Sequence, residues 1–304
     1  MTNENDPSAV RILVTGGSGF IGTNLIEACV AQGNVVLNID STSPRNVAHS
    51  RFWKQVDLLD TEGLKKVIRE FNPHYIYHMA ARTDLDGRSL NDYRANTDGV
   101  SNLIEAINSL PALKRIIFAS SRLVCKIDYQ PKDEYDCCPT TRYGESKVIG
   151  EKIVRESKGI ACPWVIVRPT SIWGPWFDIP YKTFFLTIAD GHYFHPGRKI
   201  INKSFGYIGN SVFELQKLMS APADMVQGRT LFLEDYPPIN VKVMAEFIQK
   251  TMGAKQIKTA PMIFLRTGAV LGDALKTMGW KNPPLTSFRL NNLLTNMVYE
   301  STAL

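Results

Sequence analysis

Short β-branched runs closed by glycine, proline or aspartate alternate along this chain with longer segments of helical periodicity. The run Val10-Arg-Ile-Leu-Val-Thr15 is apolar on both faces and ends at glycines, the pattern of a strand buried within a sheet. Residues 20–32 then place apolar side chains at helical spacing, and Gly33 supplies the stop. Residues 35–39 form a second apolar strand ending at Asp40, so strand, glycine-rich turn, helix and strand follow one another within about 30 residues as a βαβ unit. The rhythm repeats with a helix over 64–71 broken by Pro73, a strand over 75–79, a long helix over 93–110, a strand over 115–119, a helix over 143–158 and a strand over 164–167. Alternation of this kind predicts an α/β fold, a doubly wound parallel sheet with helices on both faces.

After Arg168-Pro169 the texture changes. Residues 173–180 are dense in proline and aromatic side chains and read as a crossing out of the sheet domain. Helices over 212–219, 241–252 and 268–278 follow, mixed with short strands and loops, enough for a small C-terminal substrate-binding lobe. The expected organisation is a disordered polar lead-in over 1–8, a dinucleotide-binding domain over 9–172 and a smaller lobe over 173–304, with segments near 205–235 returning to the sheet domain.

Composition narrows the picture modestly. A hydrophobic share of 44% and a charged share of 21% are ordinary for a soluble globular protein, and no apolar run approaches a membrane span, so no membrane partner is expected. The net charge of +6 favours anionic partners, but the basic residues read as scattered and no nucleic-acid motif accompanies them. A nucleotide diphosphate satisfies the same bias. Five cysteines without metal-ligand spacing predict reduced thiols, a cytoplasmic protein and no metal.

The glycines of Gly16-Gly-Ser-Gly-Phe-Ile-Gly22 sit between strand and helix in a G-x-x-G-x-x-G spacing. Glycine permits positive φ there, lets the backbone approach a pyrophosphate, and leaves the helix N-terminus free to meet the phosphates. Asp40, ending the second strand, can accept hydrogen bonds from a ribose diol and would repel a 2′-phosphate, which favours NAD; Arg45 close by keeps NADP open. Asp57 can reach an adenine amine or cap a helix. His78, before Met79-Ala80-Ala81, reads as a structural histidine beside small residues that admit a cofactor. Tyr143 and Lys147 lie one helical turn apart, and a lysine cation together with the positive nicotinamide ring of a bound cofactor would favour the phenolate. Lowering a tyrosine from about 10 to neutrality takes roughly 4 kcal/mol. Ser121, at a strand end, can donate to a reacting oxygen.

Taken together, Thr15-Gly-Gly-Ser-Gly-Phe-Ile-Gly22, Asp40, Asp57, His78-Met-Ala-Ala81, Asn96, Ser120-Ser121, Tyr143-Gly-Glu-Ser-Lys147 and Arg168-Pro169 resemble the extended short-chain dehydrogenase/reductase family, specifically its NAD-dependent epimerases and dehydratases of nucleotide sugars. Lys203-Ser-Phe-Gly-Tyr-Ile-Gly-Asn210 is similar to a further segment of that family. The resemblance implies a Rossmann domain, Ser121, Tyr143 and Lys147 as the catalytic set, and NAD held by Gly16, Gly19, Phe20, Ile21, Gly22, Asp40, Asp57, Leu58, Ala80, Ala81 and Asn96, with Tyr143 and Lys147 also at the cofactor. It implies substrate contacts from Ser121, Arg82, Ser171, Lys203 and Arg289, the last two on a diphosphate, and a homodimer packed through the helices near 93–110 and 143–158.

Departures matter as well. Ser121-Arg-Leu-Val-Cys125 lacks the Asp-Glu pair with which the family's dehydratases expel water, Cys125 stands in place of a frequent tyrosine, Ser171 in place of an asparagine, and Lys203 in place of an arginine. The expected activity is therefore an NAD-dependent nucleotide-sugar epimerase working at C4 through a transient keto-sugar. A net reductase or dehydrogenase of a keto-sugar or another carbinol is the alternative, and a non-catalytic dinucleotide-binding protein the second.

Overall fold

The computed structural model describes residues 9–108, 110–178, 181–280 and 283–299, so the lead-in expected over 1–8 lies outside the described residues. Seven parallel strands make one sheet: β1 (Arg11–Thr15), β2 (Val35–Asp40), β3 (Trp53–Gln55), β4 (Tyr75–His78), β5 (Arg115–Ala119), β6 (Trp164–Pro169) and, after a chain of lobe elements, β11 (Thr230–Leu233). Their spatial order is β11-β6-β5-β4-β1-β2-β3. The fold is the doubly wound parallel sheet that the alternating pattern predicts.

Side-chain alternation along the strands builds two separate cores. Ile12, Val14, Tyr77, Ile117, Val165 and Val167 face α1 (Phe20–Ala31) and α6 (Ile208–Ser220), meeting Leu25, Ile26, Leu215 and Leu218. Leu13, Ile76, Ile116, Phe118 and Ile166 face the other way, onto α2 (Thr61–Phe71), α3 (Asp98–Ile107) and α4 (Arg142–Glu156), through Leu64, Ile68, Leu103 and Val154. Strands buried on both faces need the near-continuous apolar runs seen in the sequence. Helix ends follow their caps: the side chain of Asp60 accepts from Gly63 N before α2, and Thr141 accepts from Gly144 N before α4.

One predicted helix divides. Residues 93–110 were expected as a single element, but a 3-10 segment (Leu90–Asn96) precedes α3, with Thr97 turned to φ −120° and ψ −75° between them. Buried Asn96 makes the break worthwhile: its Oδ1 accepts from Arg82 N at 2.8 Å, and its Nδ2 donates to Arg82 O at 3.0 Å and to Ser146 Oγ at 2.9 Å.

The lobe is woven from short pieces: β7 (Ser171–Trp173), α5 (Tyr181–Ala189), β8 (Phe194–Pro196), β9 (Asn202–Lys203), β10 (Phe205–Tyr207), the one-turn α7 (Ala223–Val226), β12 (Ile239–Asn240), α8 (Val241–Thr251), β13 (Lys258–Ala260), α9 (Met262–Thr277) and α10 (Ser287–Leu294). Its own core gathers Ile188, Tyr193, Ile201, Phe205, Val241, Met244 and Ile248. Within the stretch near 205–235, α6 packs on the sheet domain and β11 pairs with β6 at the sheet edge.

Strand order reverses between β1 and β4, since the chain runs outward through β2 and β3 before returning to β1's other side. The loops leaving β1 and β4 therefore part, and a crevice opens at the carboxyl ends of the strands.

Candidate active site

A cavity of about 700 Å³ fills that crevice, of a size suited to an extended small-molecule ligand. Its floor is the turn between β1 and α1. Gly16 holds φ +71°, and a Cβ there would lie 2.5 Å from the backbone of Ala80, so only glycine lets β1 and β4 approach. At Gly22 a Cβ would overlap the carbonyl of Gly16. Gly19 differs, because a Cβ there would meet only Gly16 O, at 3.2 Å, and its open side belongs to the cavity. As N-cap of α1, Gly19 offers no capping side chain, and no acidic residue occupies the first turn. The free N–H groups of that turn, beside Phe20, Ile21 and Gly22, thus face the cavity uncompensated. A pyrophosphate fits this cradle chemically as well as sterically.

At one end, Asp40 is locked in place. Its Oδ2 accepts from Ser18 N at 3.1 Å, and its Oδ1 accepts from Thr42 N and Thr42 Oγ1, each at 3.0 Å. Both oxygens retain lone pairs toward the cavity, as a ribose diol requires. Arg45 lines the same end but is engaged elsewhere, donating to Trp176 O at 3.2 Å and pairing with Asp178 at 3.4 Å. Exposed Asp57 and buried Leu58 also line it; Asp57 accepts from Leu59 N, while the cap of α2 falls to Asp60. Ala80 and Ala81 lie along the cavity past Gly16, and Arg82 reaches its rim with its guanidinium on Asp84 at 2.8 Å. Ser18 and Thr42 escaped the sequence reading, although Ser18 sits inside the glycine motif.

At the other end Ser121, Tyr143 and Lys147 converge on the cavity wall. Ser121 terminates the β5 segment and holds Leu123 N at 3.1 Å on its Oγ. Tyr143 and Lys147 project from the first turns of α4, and the Ser121 hydroxyl near the phenol draws its pKa down. Burial drives their acidities apart from the ordinary values in opposite senses: the phenol is pushed up to about 12 and the ammonium down to about 8. Lys147 Nζ donates to Ala119 O at 2.7 Å. In the protein alone burial thus favours the neutral phenol, since desolvation outweighs the pull of Ser121; the phenolate is expected only with the cofactor's positive ring alongside Lys147.

Beneath Lys147 lies a buried ionic group that sequence reading passed over. Glu151 accepts from Arg168 Nε at 2.8 Å and Nη2 at 2.7 Å and from Arg155 Nη1 at 2.9 Å. Its negative charge pushes the pKa of Lys147 up, against the larger downward push of burial. The signal was available: Tyr143, Lys147 and Glu151 form one ladder at four-residue intervals on α4. His78 is buried and neutral, lowered to about 3 by burial, with Nδ1 at 2.7 Å from Thr15 Oγ1.

Four predicted contacts fall outside the cavity lining. Asn96 spends its amide on Arg82 and Ser146. Ser171 is buried in β7 against β10. Lys203 is buried in β9, donates to Asn292 O at 2.5 Å and Oδ1 at 3.1 Å, and is lowered to about 7 by burial, with help from the charge of Arg122. Arg289 turns its guanidinium to Pro283 O at 2.6 Å. Both basic side chains satisfy lobe carbonyls because the C-terminal segment packs onto β9. Thr170, Ile172 and Phe177 also line the cavity, Phe177 lying between Trp176 and Asp178, the two residues that engage Arg45. Among the described residues no group of histidine, cysteine or carboxylate side chains is arranged to hold a metal, and all five cysteines are free thiols.

Comparison with known proteins agrees with this geometry. The model of the NAD dependent epimerase/dehydratase family matches residues 12–192. A 3-beta-hydroxysteroid dehydrogenase of Mycolicibacterium neoaurum is 28% identical over 89% of this chain and 76% of its own length. The N-acetyl-alpha-D-glucosaminyl-diphospho-ditrans,octacis-undecaprenol 4-epimerase of Escherichia coli O157:H7 is 26% identical over 96% of this chain and 88% of its own. Among solved structures, UDP-glucose 4-epimerase of Thermotoga maritima with UDP-glucose superposes with a TM-score of 0.69 at 21% identity, covering 83% of this chain and 86% of that one.

Proposed function

For a chain that belongs to the NAD-dependent epimerase/dehydratase family, we propose that the activity is epimerisation of a sugar carbinol carried on a diphosphate, at C4, through a transient ketone. The protein is an enzyme of the extended short-chain dehydrogenase/reductase kind and its cofactor is NAD. The observation that carries the proposal is the meeting of Ser121, Tyr143 and Lys147 at one end of a cavity whose other end holds a fixed carboxylate and an uncapped helix. Bound there, NAD supplies a reversible hydride acceptor. Ser121 donates to the carbinol oxygen as it becomes a carbonyl, and Tyr143 takes the hydroxyl proton and later returns it. Lys147, held on Ala119 O, keeps a positive charge beside the phenol at neutral pH. Hydride removal from one face and return to the other inverts the centre with no net redox change. The absence of an Asp-Glu pair in Ser121-Arg-Leu-Val-Cys125 speaks against dehydration.

Incubation with UDP-, GDP- and dTDP-sugars, followed by NMR of the sugar ring, tests this; interconversion of C4 epimers without change in the nicotinamide absorbance is expected. One observation favours a second reading, a net dehydrogenase of a less polar carbinol: Lys203 and Arg289, the basic side chains that would meet a diphosphate, lie outside the cavity lining and donate to lobe carbonyls. Stoichiometric NADH formation from a 3β-hydroxysteroid, with no sugar turned over, would establish that reading instead. A homodimer packed through α3 and α4 and a cytoplasmic location complete the proposal, and sedimentation velocity reads the first.

A further inference from the structure

The C-terminal lobe carries an apolar face that none of the described residues covers. α9 buries its Ala269 and Gly272 side, where a Cβ on Gly272 would overlap the carbonyl of Leu285 ahead of α10. Its opposite side is apolar too. Ile263, Phe264, Val270, Leu271, Leu275 and Met278 recur at helical spacing along one stripe, with Phe264 71%, Leu271 60% and Met278 82% exposed. Trp280, just past the helix, is also exposed. An isolated exposed leucine needs no explanation, but a continuous stripe on one helix does.

Charge identifies what the stripe meets. Residues 250–284 contain six basic side chains (Lys250, Lys255, Lys258, Arg266, Lys276 and Lys281) against Asp273 alone, a surplus of five in a chain whose net charge is +6. Along the sequence, then, most of the chain's net positive charge falls in this stretch. Arg198 and Lys199 extend the group: the loop that carries them follows Gly197, whose N–H donates to Ala260 O at 3.2 Å and whose Cβ position lies 3.3 Å from Met262 at the start of α9. Among the described residues, no carboxylate pairs with Arg198, Lys199, Lys255, Lys258 or Arg266. A second copy of this face would bring like charges together. A bilayer bearing anionic headgroups would neutralise them and take up the apolar stripe.

We propose that α9 lies in the interface of an anionic membrane, its Phe264–Leu271 stripe in the acyl boundary and its basic flanks on the headgroups. The helix has sixteen residues, short of the about 20 that crossing requires, and no described helix is long and apolar enough to span. The membrane excluded on hydropathy grounds is therefore a spanned one; lying flat demands only an amphipathic face.

Flotation of the full chain with vesicles of phosphatidylcholine alone, or with about one-third phosphatidylglycerol, tests this without any substrate, so its failure leaves the activity reading untouched. Binding to the anionic vesicles is expected, released by about 0.5 M salt. The double substitution Phe264→Asp and Leu271→Asp should lower the bound fraction about tenfold, and Lys258→Glu with Arg266→Glu should do likewise, while NAD binding and circular dichroism stay unchanged. Absence of flotation with either composition overturns the proposal, as does flotation indifferent to both double variants. A dimer that the apolar pair of substitutions dissolves, with no vesicle binding, would assign the face to a second copy instead.

Discussion

Replacing Lys147 by methionine should make this protein more stable and inactive, and the size of the effect follows from where the ammonium sits. Burial lowers Lys147 from 10.5 to about 8. That difference of some 2.5 units corresponds to about 3 kcal/mol by which the folded state disfavours the charged form. The folded pKa lies below the unfolded one, so between about 8 and 10.5 the unfolded chain binds the proton that the folded chain has released. Wild-type stability must then rise with pH across that window, and below it the full penalty applies. Methionine has the same reach without the charge. It forfeits the 2.7 Å hydrogen bond to Ala119 O, leaving a carbonyl unsatisfied at a loss of about 1 kcal/mol. The net gain for Lys147→Met at pH 7 is about 2 kcal/mol, roughly 4 °C for a chain of this size. Thermal melts of both proteins at pH 7, 8.5 and 10, without cofactor, read the difference. The advantage of the variant should shrink from pH 8 upward, vanish at about 9.8, and turn into a deficit of about 1 kcal/mol near 10.5. A variant that melts below wild type at pH 7, or a gap that stays level across the series, would refute the reasoning.

Other sites give sharper failures. Glu151→Gln leaves the buried guanidinium of Arg168 and its neighbour Arg155 without their counter-charge, and should destabilise by about 3–5 kcal/mol in urea melts while moving Lys147 below about 8. Asp40→Asn keeps the contacts from Ser18 and Thr42 only in part and removes the charge facing the ribose; NAD affinity by fluorescence quenching should fall about tenfold, and unchanged affinity would remove Asp40 from the cofactor site. Tyr143→Phe should lower turnover by about 10²–10⁴ while NAD affinity stays within about twofold, and undiminished turnover would displace Tyr143 as the proton carrier.

The half of the site that holds the dinucleotide was legible because its demands fall on short stretches of backbone. Gly16 and Gly22 are dictated by contacts with Ala80 and with each other's turn, and Asp40 by the end of one strand. Such constraints leave a mark in a few adjacent letters. The reacting end was legible only as a combination, since Tyr143 and Lys147 become informative once β5 has placed Ser121 opposite them. Glu151 was missed although it continues the same helical ladder, because its partner Arg168 belongs to β6 and no local pattern announces a pairing. In the lobe the reading slipped for another reason. Residues 262–267 escaped the helix expected over 268–278, since Gly268 and Gly272 are poor helix formers that look like boundaries. Their role is close packing: Gly272 lets α9 press against the carbonyl of Leu285. Lys203 and Arg289 were expected on a diphosphate from the resemblance, and tertiary packing turns both toward lobe carbonyls.

The opposite shifts of Tyr143 and Lys147 bear on the direction of the chemistry. One desolvated wall raises the phenol to about 12 and lowers the ammonium to about 8, so about 4 units separate a proton donor from its neighbouring cation. A neutral phenol is ready at pH 7 to give its proton to a carbonyl oxygen, as reduction of a ketone requires. The reverse step needs a phenolate, and bringing about 12 to neutrality takes some 7 kcal/mol. Lys147 supplies part of that only while it stays protonated, which the buried carboxylate of Glu151 promotes. Any further positive charge lodged beside the ring supplies more, and supplies it only while lodged there. On the proposed roles, Tyr143 would be an acid by default and a base only on occupation of the cavity, which would confine alcohol oxidation to the loaded site.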